Sequence, residues 1–522
     1  MSTDFRPLEI PPGVVAKPTK QMRSSNWAAV NMMRWVEGQM GPVGGQAQYN
    51  YAFASRCKAI HGWYDLNSVY HIAYLCETNL YVDTGGALVD ISPTPALVAP
   101  QPPGEGGYGD SNYADGTYNY GEPPPISTIQ AIDKVPDSWS LDNMGAILYA
   151  MTSPDGRLLM WDPAVGGPAV VQPANSGRGP VPHGRCFVVT QERFLVIFGS
   201  TQDGTAGGGS FRRFAWCDQE NPGAWDYSSV TSQAGFLDIE PASPIISAYA
   251  TRNGTLFWTG KKAYVSTFLG LPYIYNYVEL AQNCTPWSPE SVVGTSSMTL
   301  WFSQQGMFSF DGTSIFPVAC LVRPWVDDDI DLLNVREQAC MVHVGNFNEA
   351  WWFYPQNGQT ANTRAIIYNY KEGWWSQAQM SRSAGVTASY NAQTIMADGL
   401  VAFQHEAGIV YPANVPLPWA ETFDLNLNSG AKLTTIKQMI PDVSGNVSSL
   451  LYSLFYRNSR SVANGAPVVE LQTTPKPVRS DGFLDLRTTG RDIRMRIQIA
   501  GPSVLPVTVG QHLIDSVPRG DR

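Results

Sequence analysis

Short apolar and aromatic runs, each broken after a few residues by Gly, Pro, Asn or Asp, fill this sequence from about residue 58 to residue 411. Runs of that length between turn residues predict strands rather than helices. They recur in a fixed order: an apolar strand, a short polar turn, a strand carrying Leu and an aromatic, then a Gly turn and another strand. Copies are expected at 60–63, 72–75, 80–83 and 88–91; at 146–151, 158–161 and 169–172; and at 187–190, 194–198 and 211–216, ending near Trp225. Further copies fall at 245–250, 255–259, 263–268 and 273–280; at 298–302, 306–310 and 314–318; and at 339–344, 349–354, 365–370 and 373–376. A weaker seventh group lies at 386–390, 395–397, 400–404 and 408–411.

The later copies start roughly 46 to 60 residues apart, the length of a four-stranded propeller blade with its loops. A small twisted sheet cannot bury both faces alone, so several pack radially and close into a ring. A jelly roll or stacked sandwiches would supply short strands without a recurring four-strand unit. The expected fold is therefore all-β: a β-propeller of about seven blades, six being possible. The stretch 27–35 (WAAVNMMRW) fits one strand or two helical turns, and strand is favoured. Pairing 30–43 with 386–411 would complete the weak last blade and close the ring.

The expected domains are an extended N-terminal arm at 1–24, the propeller at 25–415 with an insertion at 92–127, and a C-terminal β-sandwich-like domain at 416–522. The last begins after the Pro-rich 412–418, where period-two alternation such as FDLNL (423–427) and RMRIQI (494–499) signals half-buried strands. The insertion is dominated by Pro, Gly, Tyr and Asn and cannot bury a core. It is read either as a flexible blade connection or as a loop for contact with a neighbouring subunit or a channel. In the second case Tyr108, Tyr113, Tyr118 and Tyr120 are its anchors.

Composition sharpens this picture. The chain holds 16 Trp, 24 Tyr and 20 Phe, residues favoured in strands, with 48 Gly and 39 Pro as punctuation. Charged residues are 15% of the total, against about 25% in ordinary soluble domains, which suits extensive subunit contact. A formal net charge of −10 argues against a protein that grips nucleic acid. It permits a conduit, because an acidic wall repels phosphates within about 10 Å at moderate salt. Seven Cys without a CxxC pair predict buried free thiols rather than a disulfide framework or a zinc site. The start lacks the pattern of a secretion signal, and no apolar stretch is long enough to span a membrane.

Enzyme signatures such as GxSxG, HExxH, GxxxxGK[ST] and GxGxxG after a strand are missing. Gly207–Ser210 shares only its glycines with a phosphate loop. The run Asp327, Asp328, Asp329 and Asp331 is not an EF-hand, since Leu332 stands at the required Gly and Gln338 at the required Glu. It is expected to cap the N-terminus of a short helix. The six His show no ligand spacing. No catalytic residue, metal or cofactor is assigned, although distant carboxylates that blades could bring together at the axis stay open.

The segments IPPGVV (10–15), SSNWAAVNMMRWVEGQMGPVGG (24–45), EAWWFYP (349–355), YNYKEGWWSQ (368–377) and VGQHLIDSVPRGDR (509–522) resemble the tail hub or nozzle proteins of short-tailed bacteriophages, also called packaged-DNA stabilisation or tail tubular proteins. The resemblance is diffuse and covers nearly the whole chain. It implies a homo-oligomeric ring, typically of six copies, below the portal and its adaptor, with tail fibre or needle proteins as further partners. Such a ring retains packaged DNA and conducts it on ejection without sequence-specific binding, and it belongs to a virion tail assembled in the host cytoplasm. Loops such as 104–121 would then narrow the channel or seal neighbours. The competing readings are a carbohydrate-binding or hydrolysing propeller acting as a receptor-binding tail protein, and a scaffold for host proteins.

Overall fold

The structure is a computed structural model that describes residues 5–16, 26–100, 135–201, 211–240, 243–387, 393–425, 427, 432–458, 470–501 and 505–519. Among them, seven four-stranded antiparallel sheets follow one another along the chain as the blades of a propeller. Blade one is Cys57–Tyr64, Tyr70–Cys76, Leu80–Thr84 and Ala87–Asp90; blade two is Trp139–Met144, Ile147–Thr152, Leu159–Trp161 and Val170–Val171. Blade three is Cys186–Val189, Leu195–Phe198, Arg213–Trp216 and Gly235–Asp238; blade four is Ile245–Thr251, Gly254–Thr259, Lys262–Gly270 and Ile274–Gln282. Blade five is Val292–Gly294, Thr299–Ser303, Gly306–Phe310 and Ile315–Val318; blade six is Cys340–Val344, Glu349–Tyr354, Arg364–Asn369 and Trp375–Ala378. Blade seven takes three strands in sequence, Ala384–Thr387, Thr394–Asp398 and Val401–His405, and its outermost strand is Gln46–Ala52 from the N-terminal region.

Strand alternation explains why the blades read as near-continuous apolar runs: both faces of a blade meet a neighbour. In blade two, Leu148 and Ala150 pack with Trp63 and Leu75 of blade one, while Tyr149 and Met151 pack with Phe187 and Leu195 of blade three. Val188, Val196 and Phe198 turn the other way, onto Phe257 and Tyr264 of blade four. Aromatics fill the wider gaps. Phe302 of blade five stacks on Trp352 of blade six at 4.1 Å between ring centroids. Trp258 and Trp301 meet edge-on at 5.2 Å between blades four and five. Such pairs contribute about 0.5–1.5 kcal/mol beyond the area they bury. All seven cysteines are free thiols, and Cys320 is the one that is half-buried rather than buried.

Ring closure differs from the expectation in the strand it uses. The apolar strands Trp27–Asn31, Met33–Val36 and Gln39–Pro42 form no sheet with 386–411 and instead join sheets outside the propeller. Gln46–Ala52 closes blade seven against Val401–His405, so the propeller begins there and not at residue 25. Residues 408–411 supply no strand. At the entry to this clasp, Gly45 donates to the Gly408 carbonyl and accepts from Ala407. A Cβ on Gly45 would stand 2.6 Å from the Gly408 oxygen and 2.7 Å from the Val410 nitrogen, both backbone atoms that cannot swing aside. Gly45→Ala is expected to cost about 1–3 kcal/mol by this overpacking, read as a lower urea midpoint; an unchanged midpoint would show that the clasp tolerates widening.

The remaining strands build a sandwich-like second domain from both ends of the described chain. One sheet orders Phe5–Leu8, His512–Pro518, Thr434–Ile440 and Thr488–Gly490, so the expected arm at 1–24 contributes a paired strand. A second runs Trp27–Asn31, Trp419–Thr422, Asp492–Ile499, Leu450–Arg457 and Leu471–Gln472, with Lys476–Pro477 also on Leu450–Arg457. A third joins Met33–Val36, Gln39–Pro42, Val507–Val509 and Val443–Gly445. The propeller is thus an insertion within this domain. One apolar core runs from Phe302 and Trp352 in blades five and six to Tyr452, Met495 and Ile497 in the second domain.

Arg34 ties three parts together. It lies on a strand of the second domain, and its guanidinium pairs with Glu349 of blade six at 3.1 Å and with Glu406 beyond blade seven at 2.7 Å. It also covers the Phe347 ring at 3.7 Å. Glu406 in addition accepts the Gly44 N–H, and Glu349 accepts the Trp351 indole N–H.

The acidic run sits differently from the expectation. Pro324 starts a helix early, at Arg323–Asp329, which leaves Asp327–Asp329 at its C-terminal end. Asp331 folds a turn instead, accepting the N–H groups of Leu333 and Asn334 ahead of the short helix Val335–Gln338, whose N-cap residue is Asn334 and has no side-chain cap.

Candidate functional site

The seven innermost strands are parallel in sense around the propeller axis, so their first residues ring one mouth and their last residues the other. They enclose a cavity of about 470 Å³ that every blade helps to line. At the first mouth the connection between blades five and six reaches across to blades one and two. Lys58 Nζ donates to the Glu337 carbonyl at 3.0 Å and to Gln338 Oε1 at 3.1 Å. The Glu337 carboxylate accepts the Asp137 N–H at 3.1 Å. Residues 335–338 therefore bridge this mouth. Lys58 also pairs with Glu77 at 3.6 Å and lies 4.8 Å from the Trp139 ring, and burial lowers its pKa.

Glu290 stands at the same mouth and accepts the Trp139 N–H at 3.0 Å. Burial pushes its carboxyl from the ordinary 4.5 up to about 7, against the opposing pull of that hydrogen bond and of Lys58. Because the folded value is the higher one, Glu290 supports the fold below about pH 4.5 and that support is lost as pH rises through 7. The side chain lines a cavity that water can enter, so the effect falls below the full value for a dry site. Glu290→Gln keeps the acceptor without the charge. It is expected to flatten the pH dependence of stability between 4.5 and 7 and to raise stability at pH 8 by about 1–3 kcal/mol. Urea titrations at several pH values check this, and an unchanged slope would remove Glu290 as its source.

At the second mouth, His61 Nε2 meets Asn143 Oδ1 at 2.8 Å, Asp142 accepts the Val189 N–H at 2.9 Å, and Tyr249 accepts the Gly294 N–H at 2.8 Å. His343 Nε2 lies 3.0 Å from the Tyr370 hydroxyl. Burial raises Asp142 and lowers His343. These groups are engaged by protein partners, which suits a polar plug that fixes the blades at the axis. Among the described residues, no group of three or more His, Cys, Asp or Glu is placed to hold a metal ion, and no helix is long and apolar enough to cross a membrane.

A second feature stands out on the rim. Lys262–Gly270 and Ile274–Gln282 of blade four have nine residues each, longer than any other described strand. The base of this hairpin is fixed by Lys262 pairing with Glu279 at 2.6 Å. Its tip is apolar and open: Leu269, Leu271 and Tyr273 are 56%, 74% and 75% exposed. Gly270, at φ +79°, makes the turn. Phe268 leans on Phe194 of blade three, with ring centroids 5.8 Å apart, which steadies the tip. The strands and the turn between 268 and 273 were legible in sequence, but the exposure of the tip was not, because Leu269, Leu271 and Tyr273 are residue types that usually lie inside. The available signal was a turn built from Leu, Pro and Tyr in place of Asn, Asp or Ser.

Tyr108, Tyr113, Tyr118 and Tyr120, with the loop 104–121, lie outside the described residues. The described start of the insertion is anchored to blade two, where the Arg157 guanidinium donates to the carbonyls of Pro95 and Ala96 at 3.2 and 2.9 Å.

No family model and no curated protein matches the chain. Among solved structures, it is similar to the β-propeller domain of Cps50 (Swd1) from Myceliophteria thermophila. That match has a TM-score of 0.38 and 8% identity, and it covers 69% of this chain and 99% of the other.

Proposed function

We propose that this chain is a non-enzymatic structural subunit of a short-tailed bacteriophage tail, forming the nozzle or hub ring that continues the DNA channel below the portal and adaptor. The virion role rests on the sequence resemblance. The structural observation that carries the assembly is the hairpin of blade four: a lone soluble chain gains nothing from holding Leu269, Leu271 and Tyr273 in water. A ring built head to tail would bury that tip against a different face of the next copy. The low charged fraction supports large subunit contacts in the same way.

The conduit in this reading lies between copies. A propeller cavity of about 470 Å³, bridged at one mouth by residues 335–338, has no room for a duplex, whose major groove alone is about 12 Å wide. A net charge of −10 favours a lumen wall from which the phosphate backbone slides away. Tail fibre or needle proteins would attach to the same ring, assembled in the host cytoplasm. The test is electron microscopy and native mass measurement of the purified protein with its adaptor ring. A closed ring of about six copies with an axial lumen is expected, and a chain that stays monomeric beside the adaptor would overturn the proposal.

A further inference from the structure

We infer that the cleft between blade six and the second domain is a binding site for a neutral saccharide. It is a cavity of about 350 Å³, within the roughly 300–1,000 Å³ range of small-ligand sites and at a domain junction, where such sites concentrate. Three segments distant in sequence form it. The helix Arg323–Asp329 brings Trp325, Asp328 and Asp329; blade six brings Tyr354, Arg364 and Gln377, followed by Gln379; the second domain brings Ala29 and Trp419.

The chemistry is that of a polyol site. Trp325 and Trp419 supply indole surface for the C–H faces of a sugar ring, and Trp419 is steadied by the Arg496 guanidinium 4.4 Å from its ring. Arg364 pairs with Asp329 at 3.2 Å, which fixes a carboxylate and a guanidinium side by side. Gln377 and Gln379 have their backbones occupied: the Gln377 carbonyl accepts the Met32 N–H at 3.0 Å, and the Gln379 N–H donates to Asn31 at 2.7 Å. Their side-chain amides have no protein partner among the described residues. Each amide offers a donor and an acceptor together, which matches adjacent hydroxyls.

Charge selects among ligands. The Arg364 guanidinium is already matched by Asp329, so it is not available to hold phosphate, sulfate or carboxylate ligands. Arg364 in the same wall opposes a cation. A neutral ring with hydroxyl edges and apolar faces meets both conditions. The inference is independent of the ring reading, since the cleft is complete within one chain. On a tail component it would meet glycans of a cell surface.

The test is saturation-transfer NMR and tryptophan fluorescence on the full chain, with maltotriose, cellotriose, chitotriose and lactose as neutral probes and sialyllactose as an anionic one. At least one neutral probe is expected to bind at millimolar concentration or below, and sialyllactose to bind at least tenfold more weakly. Gln377→Ala with Gln379→Ala should weaken the neutral probe at least tenfold while the thermal midpoint stays put. Trp325→Ala, on the helix that walls the cleft, provides a second variant should the first fold poorly, and is expected to weaken the neutral probe at least tenfold as well. Absence of saturation transfer from every neutral probe, tighter binding of sialyllactose, or binding indifferent to both variants would overturn the assignment.

Discussion

Arg34→Met is expected to lower the unfolding free energy by about 3–5 kcal/mol, because it leaves two carboxylates enclosed without their cation. The guanidinium is 3% exposed and holds Glu349 and Glu406 at 3.1 and 2.7 Å. Burial already pushes the Glu349 carboxyl above its usual range, and Arg34 is the partner that pulls it back. Once the cation is gone, Glu349 must take up a proton or draw in water, and blade six, the ring clasp and the second domain lose their common tie. Urea denaturation followed by tryptophan fluorescence gives the number. Adding Glu349→Gln and Glu406→Gln to the Arg34→Met chain should recover most of the loss, since the penalty lies in unpaired charge more than in the missing attraction. A loss near that of a surface ion pair, about 0–1 kcal/mol, would mean that water reaches the trio.

Leu271→Asp combined with Tyr273→Asp is expected to abolish ring formation while leaving the isolated chain intact. Both side chains are about three-quarters exposed at 74% and 75%, so little folding energy depends on them, and surface substitutions of this kind usually stay within about 0.5 kcal/mol. Across an apolar contact, however, each new carboxylate would lose its hydration with no partner, and two per interface repeat around the ring. Native mass spectrometry with the adaptor reads the assembly, and a thermal melt reads the fold. Rings that persist in the double variant would place the subunit contact elsewhere.

The propeller was legible where blades are buried on both faces. Blade six reads strand for strand because Glu349–Tyr354 is buried at every position. The innermost strands of blades two and five carry no such signal. Trp139–Met144 is a polar-looking WSLDNM because its middle residues face the axial cavity, and Val292–Gly294 has three residues. The closing strand Gln46–Ala52 and the stretch 30–43 mislead in opposite directions. The former is an exposed outer strand and therefore reads polar, whereas the apolar Trp27–Asn31 and Met33–Val36 are buried in the second domain. The cleft could not be read at all, since Trp325, Gln377 and Trp419 come together only through the docking of two domains.

The clasp also fixes an order of events during synthesis. Gln46–Ala52 leaves the ribosome well before Val401–His405, the separation from 52 to 401 being 349 residues. At about 5–20 residues per second that is a wait of roughly 20–70 s. Throughout it a strand edge stands bare, and so does the face of blade one that Ala384, Ile395 and Ala397 of blade seven later cover. On a crowded polysome the nearest Val401–His405 belongs to the chain ahead, so exchanged dimers compete with closure. Slower growth and dilute transcripts should therefore favour the properly closed monomer over interlocked pairs.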